Sequence, residues 1–342
     1  MPCSTPCRPG APPCTRACPA EPGLDSMTAA PASEPRALGK RNTPAAWVEY
    51  ALARAVLAVA GRLPDPVRDL LVEGFARIGQ RLDGERSRIA REFQEQALGP
   101  APSAEVERTR VLQAWRHFFR LSLNSAAFER RVGVDTAAEH FAVTSCDGLE
   151  AALAGGRGGI LITPHVGDWE AACAAYPAAG LRPFHAISRP PRNRPLSAHM
   201  LALRERRGVG IVPRRSGIAR VATLLSEGAW VGMMLDQRAA GRSVEAPFFG
   251  RPAACERTPA VLARRLGVPL LFSACYQTER PFRYDLVFSR LVAPEELAGL
   301  STEGICALVN TEMEALILAR PEQYLWLHDR YKGVPAAAPE EA

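Results

Sequence analysis

The spacing of hydrophobic and polar residues changes partway along the chain. From about residue 43 to residue 143 apolar residues recur at helical spacing, whereas from about residue 144 short apolar runs alternate with helical stretches. Regular alternation of strands and helices is typical of an α/β fold with a parallel sheet. We therefore predict an α/β protein with a largely parallel central sheet flanked by helices, behind an N-terminal helical segment associated with a membrane.

The first predicted helix begins at Thr43 and Pro44, a capping residue followed by a proline in the first turn. The run that follows, AAWVEYALARAVLAVAGRLP, ends at Pro64 and contains Glu49 and Arg54. Two charges argue against a membrane-spanning helix. Two interpretations stay open: a helix in the membrane interface, favoured because Arg-rich helical segments follow, and an ordinary core helix with an Ala-rich face.

Six apolar runs in the second region are predicted to be strands. They are GGILIT (158–163), PFHAIS (183–188), VGIVP (209–213), AWVGMMLD (229–236), VPLLFSACY (268–276) and RYDLVFSRL (283–291). Helices are predicted at 169–180, 194–208, 217–228, 258–267 and 301–321, several of them opened by Ser, Thr or Pro and closed by Gly. A loop that follows a strand's carboxyl end is where such sheets bind ligands.

The two ends of the chain differ in composition from the rest. Residues 1–42 are rich in Cys and Pro, and their two C-x-x-x-C pairs lack histidine, so we expect a disordered extension rather than a zinc site, with the true start at Met27. Residues 336–342 are expected to be a disordered tail. The remaining chain is divided into a helical region, 43–143, and an α/β region, 144–335.

The charge of the chain narrows the class of partner. The formal net charge of +6 rests on arginine, since Lys40 and Lys332 are the only lysines. A basic balance fits an anionic membrane surface, an acidic carrier protein or a phosphorylated substrate, and alone it does not choose among them.

The stretch ITPHVGDWEAA (162–172) carries the candidate chemistry. His165 follows a predicted strand, and Glu170 follows it five positions later. A neutral imidazole is the usual general base near pH 7, and it works best when a carboxylate fixes its tautomer. If the chain turns at Gly167, Glu170 can reach the ring. The alternative is a surface histidine beside an acid that caps a helix.

Several motifs in order resemble those of one family. HVGDWE (165–170) resembles the H-x-G-N-W-E box of the late acyltransferases of lipid A biosynthesis, the lauroyl and myristoyl transferases of the lysophospholipid acyltransferase superfamily, with Asp168 where Asn is common. SRPPRNRPL (188–196), WVGMMLDQ (230–237), the FFG box within 244–271 and PEQYLWLHDRYK (321–332) are similar to later motifs of that family. The resemblance covers about residues 45 to 335.

The resemblance implies an enzyme that transfers a fatty acyl chain from an acyl carrier protein or coenzyme A thioester to a hydroxyl of a membrane glycolipid, such as a lipid A precursor. His165 and Glu170 would form the catalytic dyad. Arg189 would contact a phosphate or the oxyanion, or else face solvent. Asp236 would position substrate or hold an active-site arginine, or else form a structural ion pair.

The remaining family motifs imply supporting roles. Phe248, Phe249 and Gly250 would shape the acyl-chain pocket or fill the core. Trp326, His328 and Arg330 would support the site. A peripheral or monotopic enzyme on the cytoplasmic face of the bacterial inner membrane is expected, with no metal, no cofactor and no nucleic-acid partner. The alternatives are a lysophospholipid, an aminolipid or a phosphoinositide mannoside as acceptor, or a thioester hydrolase.

Overall fold

The structure, a computed structural model, describes residues 41–133, 136–189, 191–214, 217–239, 241 and 243–334. The cysteine cluster and the tail at 336–342 lie outside these residues. At the N-terminal limit, the backbone of Arg41 bridges to that of Asn193, and its N–H donates to the carbonyl of Arg192. The chain is therefore already joined to the α/β region at residue 41, within the stretch for which we expected disorder.

Four helices form the N-terminal region. They are α1 (Pro44–Ala60), α2 (Asp65–Leu82), α3 (Gly84–Leu98) and α4 (Ala104–Arg131). The predicted start of α1 is confirmed, because the Thr43 side chain accepts a hydrogen bond from the Ala46 N–H. Of the described helices, none is long and apolar enough to cross a membrane.

A sheet of seven strands forms the centre of the α/β region. The strands are β1 (Phe141–Thr144), β2 (Ile160–Thr163), β3 (Phe184–Ser188), β4 (Val209–Pro213), β5 (Trp230–Met234), β8 (Leu270–Gln277) and β9 (Tyr284–Val292), and a separate antiparallel hairpin consists of β6 (Ser243–Phe248) and β7 (Arg251–Glu256). The order across the sheet is β1-β9-β8-β2-β5-β3-β4. Neighbouring strands are parallel except for β8 and β9.

Helices cover the sheet. They are α5 (Leu149–Ala154), α6 (Trp169–Ala178), α7 (Arg194–Arg206), α8 (Ile218–Ser226), α9 (Thr258–Leu266), α10 (Pro294–Ala298) and α11 (Thr302–Ala319), with 3-10 turns at Ala137–His140 and Pro321–Gln323. The predicted α/β class is confirmed, and each of the six predicted strands is present. Strand β1, the β6–β7 hairpin and helices α5 and α10 were not predicted.

Strand β2 lies at the centre of the core and is buried along its whole length. Ile160 and Ile162 pack into one apolar cluster, whereas Leu161 packs into the other. Because both faces of a central parallel strand are covered, its sequence is uniformly apolar rather than alternating. This burial fixes the position of the loop that follows β2 and carries His165.

Candidate active site

His165 and Asp236 are brought together by the register of two adjacent parallel strands. Thr163 at the end of β2 pairs with Met234 at the end of β5, and each candidate lies two residues further along its chain. The Nδ1 atom of His165 is 2.7 Å from Asp236 Oδ1, and the His165 backbone N–H donates to Asp236 Oδ2 at 3.0 Å. Both oxygens of one carboxylate therefore fix the position of one histidine.

The surroundings of Asp236 favour its ionised form. Its side chain is almost wholly buried, and burial alone would raise its pKa, but the attraction of the His165 ring and the hydrogen bonds from His165 outweigh that effect and lower the pKa. Burial and the nearby Asp236 carboxylate together raise the pKa of the Tyr324 hydroxyl well above its usual value. An ionised carboxylate only accepts hydrogen bonds, so Nδ1 of His165 carries the proton.

The other ring nitrogen of His165 faces the Gln237 side chain. With the proton on Nδ1, Nε2 carries a lone pair, and the Gln237 Nε2 atom lies 3.3 Å from it. The Trp169 ring packs edge-on against the imidazole, with 5.1 Å between ring centroids. The His165 side chain keeps 16% of its surface exposed.

Gly167 allows the turn on which the site depends. Its φ is +65°, and a Cβ atom there would lie 1.9 Å from the carbonyl oxygen of Cys275 on β8. The same loop pairs with the C-terminal segment: the Gly167 N–H donates to Gln323, and the Leu325 N–H donates to the carbonyl of His165. The C-terminal motif that resembles the family's thus holds the backbone of the loop that carries His165.

Glu170 is not the partner of the His165 ring, contrary to our expectation. Helix α6 begins directly after Asp168 and turns Glu170 toward α7, where both carboxylate oxygens accept hydrogen bonds from Arg204 at 3.0 Å. Arg204 also donates to the Ser188 hydroxyl at the end of β3. The sequence-based pairing is corrected to His165 with Asp236, and a catalytic role for Glu170 stays a prediction.

Asp168 is buried beneath the loop. One of its oxygens caps α6 by accepting from the Ala171 N–H at 2.9 Å, and the other lies 3.4 Å from the Gln277 amide nitrogen. Burial, opposed in part by the Ala171 hydrogen bond, raises the pKa of Asp168 to about 6. Because both of its oxygens contact neighbouring groups beneath the loop, we assign Asp168 a structural role.

The other predicted site residues are distributed around this centre. Arg189 is exposed directly after β3, which pairs with β5, so it follows the same carboxyl edge of the sheet as His165. Phe248 and Phe249 are buried against Phe93, and Phe249 and Gly250 form the tip of the β6–β7 hairpin, both with positive φ. These contacts are those of a packed core, and the acyl-pocket role stays a prediction.

Residues 36–333 match the sequence profile described as bacterial lipid A biosynthesis acyltransferase. The chain belongs to this family. It is also similar to a phosphatidylinositol mannoside acyltransferase of Mycobacterium tuberculosis (strain ATCC 25618 / H37Rv), 28% identical over 177 residues, which cover 50% of this chain and 54% of the relative. A protein of the same name from Mycolicibacterium smegmatis is 27% identical over 166 residues, 47% of this chain and 52% of the relative. The chain thus spans about half the length of these relatives.

Sequence reasoning missed the roles of three residues in this acyltransferase fold. Asp236 was a candidate, but the sequence gives no sign that β5 lies beside β2. Gln237 and Tyr324 stand inside motifs that resemble the family's, yet nothing in their spacing links them to His165. Only the strand order and the docking of the C-terminal segment bring them to the site.

Proposed function

We propose that this protein transfers a fatty acyl chain from a thioester of acyl carrier protein or coenzyme A to a hydroxyl group of a membrane glycolipid. The observation that carries the proposal is the His165–Asp236 pair, in which a buried carboxylate holds Nδ1 at 2.7 Å, so that Nε2, beside the Gln237 amide, is the atom proposed to accept the proton of a substrate hydroxyl. Membership of the acyltransferase family supports the class of reaction.

In the proposed mechanism His165 acts as general base and then as general acid. Nε2 takes the proton of the acceptor hydroxyl while that oxygen attacks the thioester carbonyl and forms the new C–O bond. The tetrahedral intermediate then collapses with cleavage of the C–S bond, and the departing sulfur receives the proton from Nε2. Asp236 stabilises the imidazolium that exists between these steps, as the carboxylate does in a hydrolase triad.

The other predicted residues have positioning roles in this mechanism. Arg189, exposed at the carboxyl edge of the sheet, is proposed to contact a phosphate or the oxyanion of the intermediate. Glu170 holds Arg204, which in turn donates to Ser188, so it is proposed to position the end of β3. The Phe248–Gly250 hairpin tip is proposed to border the acyl chain.

Two acceptors are supported by different observations. A lipid A precursor is supported by the family that the chain belongs to. A phosphatidylinositol mannoside is supported by the two relatives, which carry that acceptor in their names. Incubating the protein with one labelled acyl donor and each acceptor separately, with product identification by mass spectrometry, distinguishes them. Release of free fatty acid without an acylated lipid would indicate a thioester hydrolase instead.

A location on the cytoplasmic face of the inner membrane is also proposed, and the outer surface of α1 supports attachment to a lipid surface. Val48, Leu52, Val56 and Val59 recur at helical spacing on this helix and are each 60% or more exposed. An exposed apolar strip of this kind is typical of a helix that lies in the membrane interface.

The mechanism is tested by comparing three substitutions. His165→Ala and Asp236→Asn should each reduce the turnover number by about 10²–10⁴ with little change in folding. Because the two residues act as one unit, the double variant should be little worse than the more damaged single variant. Glu170→Gln should lose less activity. If Glu170→Gln lost as much activity as His165→Ala, and the two losses were non-additive in the double variant, Glu170 rather than Asp236 would orient the His165 ring.

A further inference from the structure

A cleft of about 260 Å³ lies between α3 and the C-terminal segment. Arg88 contributes from α3, Arg251 from the start of β7, and His328, Arg330 and Lys332 from the segment that follows the 3-10 turn at 321–323. Arg88, Arg251 and Lys332 have no role in the proposed acyl transfer, and His328 and Arg330 were expected only to support the site. Basic side chains from three separate parts of the sequence thus line one cleft.

The charge of the cleft is not balanced by the protein itself. Arg88 is paired with Glu92 at 2.7 Å. Within the described part of the chain, no carboxylate forms an ion pair with Arg251, Arg330 or Lys332, and Asp329 is the one other acidic residue among those that line the cleft. A concave surface with such an excess of positive charge attracts an anion.

Three nitrogen atoms of the cleft residues are buried and have no hydrogen-bond partner among the residues that the structure describes. They are Arg251 Nε, His328 Nε2 and Arg330 Nε. Buried polar groups are almost always hydrogen bonded, because an unpaired one destabilises the fold. Arg330 is wholly buried, and its terminal nitrogens already donate to the Ala254 carbonyl and the Cys255 sulfur, which fixes its orientation.

The cleft lies next to the catalytic pair. The segment that supplies His328 also supplies Leu325, whose N–H donates to the His165 carbonyl, and Tyr324, whose hydroxyl interacts with Asp236. Burial lowers the pKa of His328, and the charges of Asp236 and His165 act on it in opposite directions. A ligand in the cleft therefore lies near the centre where the thioester and the acceptor hydroxyl meet.

We propose that this cleft binds a phosphate-bearing group of one of the two substrates. The guanidinium of Arg251 is held over the Tyr331 ring at 4.5 Å, and Lys332 is exposed, so one planar donor and one exposed cation line the same cleft. The phosphate belongs either to the pantetheine arm of the donor or to the headgroup of the acceptor. Naming these sources rests on the proposed acyl transfer, whereas anion binding by the cleft does not.

Direct binding is measured with pyrophosphate, by calorimetry on the full chain in detergent at low salt. Wild type and the control Arg264→Gln, an exposed arginine on α9, should bind with equal affinity, whereas Arg251→Gln and Lys332→Gln should each bind at least about 10-fold more weakly, the effect of losing one charge-assisted hydrogen bond. Lys332 is exposed, so its variant tests the cleft even if Arg251→Gln folds poorly. Equal pyrophosphate affinity in wild type, Lys332→Gln and a folded Arg251→Gln would overturn the proposal.

Steady-state kinetics then identify the source of the phosphate. An acyl-coenzyme A and the N-acetylcysteamine thioester of the same acyl chain differ in their phosphates but share the reacting bond. If the donor occupies the cleft, Lys332→Gln raises KM for the acyl-coenzyme A alone. If the acceptor does, the same variant raises KM for the phosphorylated acceptor with either donor. Pyrophosphate binding by a protein that transfers no acyl group would refute the proposed function and leave the anion site standing.

Discussion

At the scale of single residues, two buried aspartates near the site have opposite electrostatic behaviour. Asp236 and Asp168 are both about 1% exposed. The first faces a histidine ring, which outweighs the cost of burial and lowers its pKa, whereas the second faces a backbone N–H and uncharged side chains, and burial raises its pKa to about 6. The pKa of a buried carboxylate thus depends on the charge of its partner and not on depth alone.

Replacing Asp168 by Asn should change how stability depends on pH. The folded-state pKa of Asp168 is raised from 3.8 to about 6, so the stabilising protonated form is present at low pH and is lost as pH rises through 6. Asn keeps the oxygen that caps α6 and cannot ionise. Relative to wild type, Asp168→Asn should therefore gain up to about 3 kcal/mol in free energy of unfolding between pH 4 and pH 8.

The measurement for Asp168→Asn is urea denaturation at a series of pH values. Asp147→Asn, at an exposed position, serves as the matched control. A difference from wild type that stays constant between pH 4 and pH 8 would show that Asp168 is ionised throughout and that the surroundings of α6 compensate its charge. The test bears on the motif itself, because Asp168 stands where the family commonly has Asn.

The limits of sequence reasoning also lie at this scale. His165 was predicted because a lone histidine follows an apolar run inside a box similar to the family's, and Gly167 because a turn was needed beside it. Glu170 was paired with His165 because it lies close in sequence. The actual partner lies 71 positions away, and a sequence without strand order contains no rule that would select it.

At the scale of elements, the loop between β2 and α6 is held from two sides. Cys275 on β8 accepts from the Asp168 N–H, and the C-terminal segment accepts from the Gly167 N–H through Gln323. The six strands were predictable because each is a short apolar run bounded by Gly, Pro or charged residues. Their order was not, because pairing of β2 with β5 and β8 depends on contacts between residues far apart in sequence.

Gly167→Ala should damage both stability and catalysis. Its Cβ would lie 1.9 Å from the Cys275 carbonyl, so the loop or β8 must move, and we expect a loss of about 3 kcal/mol or more in free energy of unfolding together with most of the activity. Gly267→Ala is the matched control, since its φ of +59° and ψ of +43° lie in the left-handed region but no atom lies within 4 Å of the added Cβ. It should lose only about 1–2 kcal/mol.

Urea denaturation and a transferase assay on both glycine variants check this prediction. The difference between them isolates the close approach of β8 from the cost of the left-handed backbone conformation. Equal losses of free energy of unfolding in the two variants would mean that the Cys275 backbone moves aside at little cost. The C-terminal segment alone would then set the shape of the loop that carries His165.

At the scale of the whole molecule, α1 is oriented with its charges inward. Glu49 interacts with Asn193 and Arg54 with His199, so the two charges that argued against a membrane span face the α/β region. The opposite side presents Leu52 and Val56, which are 63% and 66% exposed. The sequence showed an apolar helix with two charges, but only its packing against α7 decides which side faces outward.

The packing of α2 and α3 also changes the expected source of membrane attraction. Four arginines of the Arg-rich helical segments that follow α1 form ion pairs with neighbouring carboxylates: Arg77 with Glu73, Arg86 with Asp83, Arg88 with Glu92 and Arg91 with Glu107. Helix α2 also presents exposed apolar residues, such as Leu70 and Ile78. Apolar contact should therefore contribute more to membrane binding than charge.

The last prediction concerns how the protein holds a lipid surface. The double variant Leu52→Glu, Val56→Glu should bind vesicles of phosphatidylethanolamine and phosphatidylglycerol roughly 100-fold more weakly than wild type. The reason is that burial of two apolar side chains in the membrane contributes about 3 kcal/mol or more to binding. Ile218→Glu, on α8 and 58% exposed, is the matched control and should bind as wild type does.

Charge attraction is screened within about 3 Å at 1 M salt, whereas apolar contact is not, so wild type should stay on vesicles in 1 M NaCl. Vesicle flotation at low salt and in 1 M NaCl measures the binding of each variant. Release of wild type by salt, or equal binding of the double variant, would contradict an apolar attachment through α1, and it would assign the attraction to the basic residues of the protein.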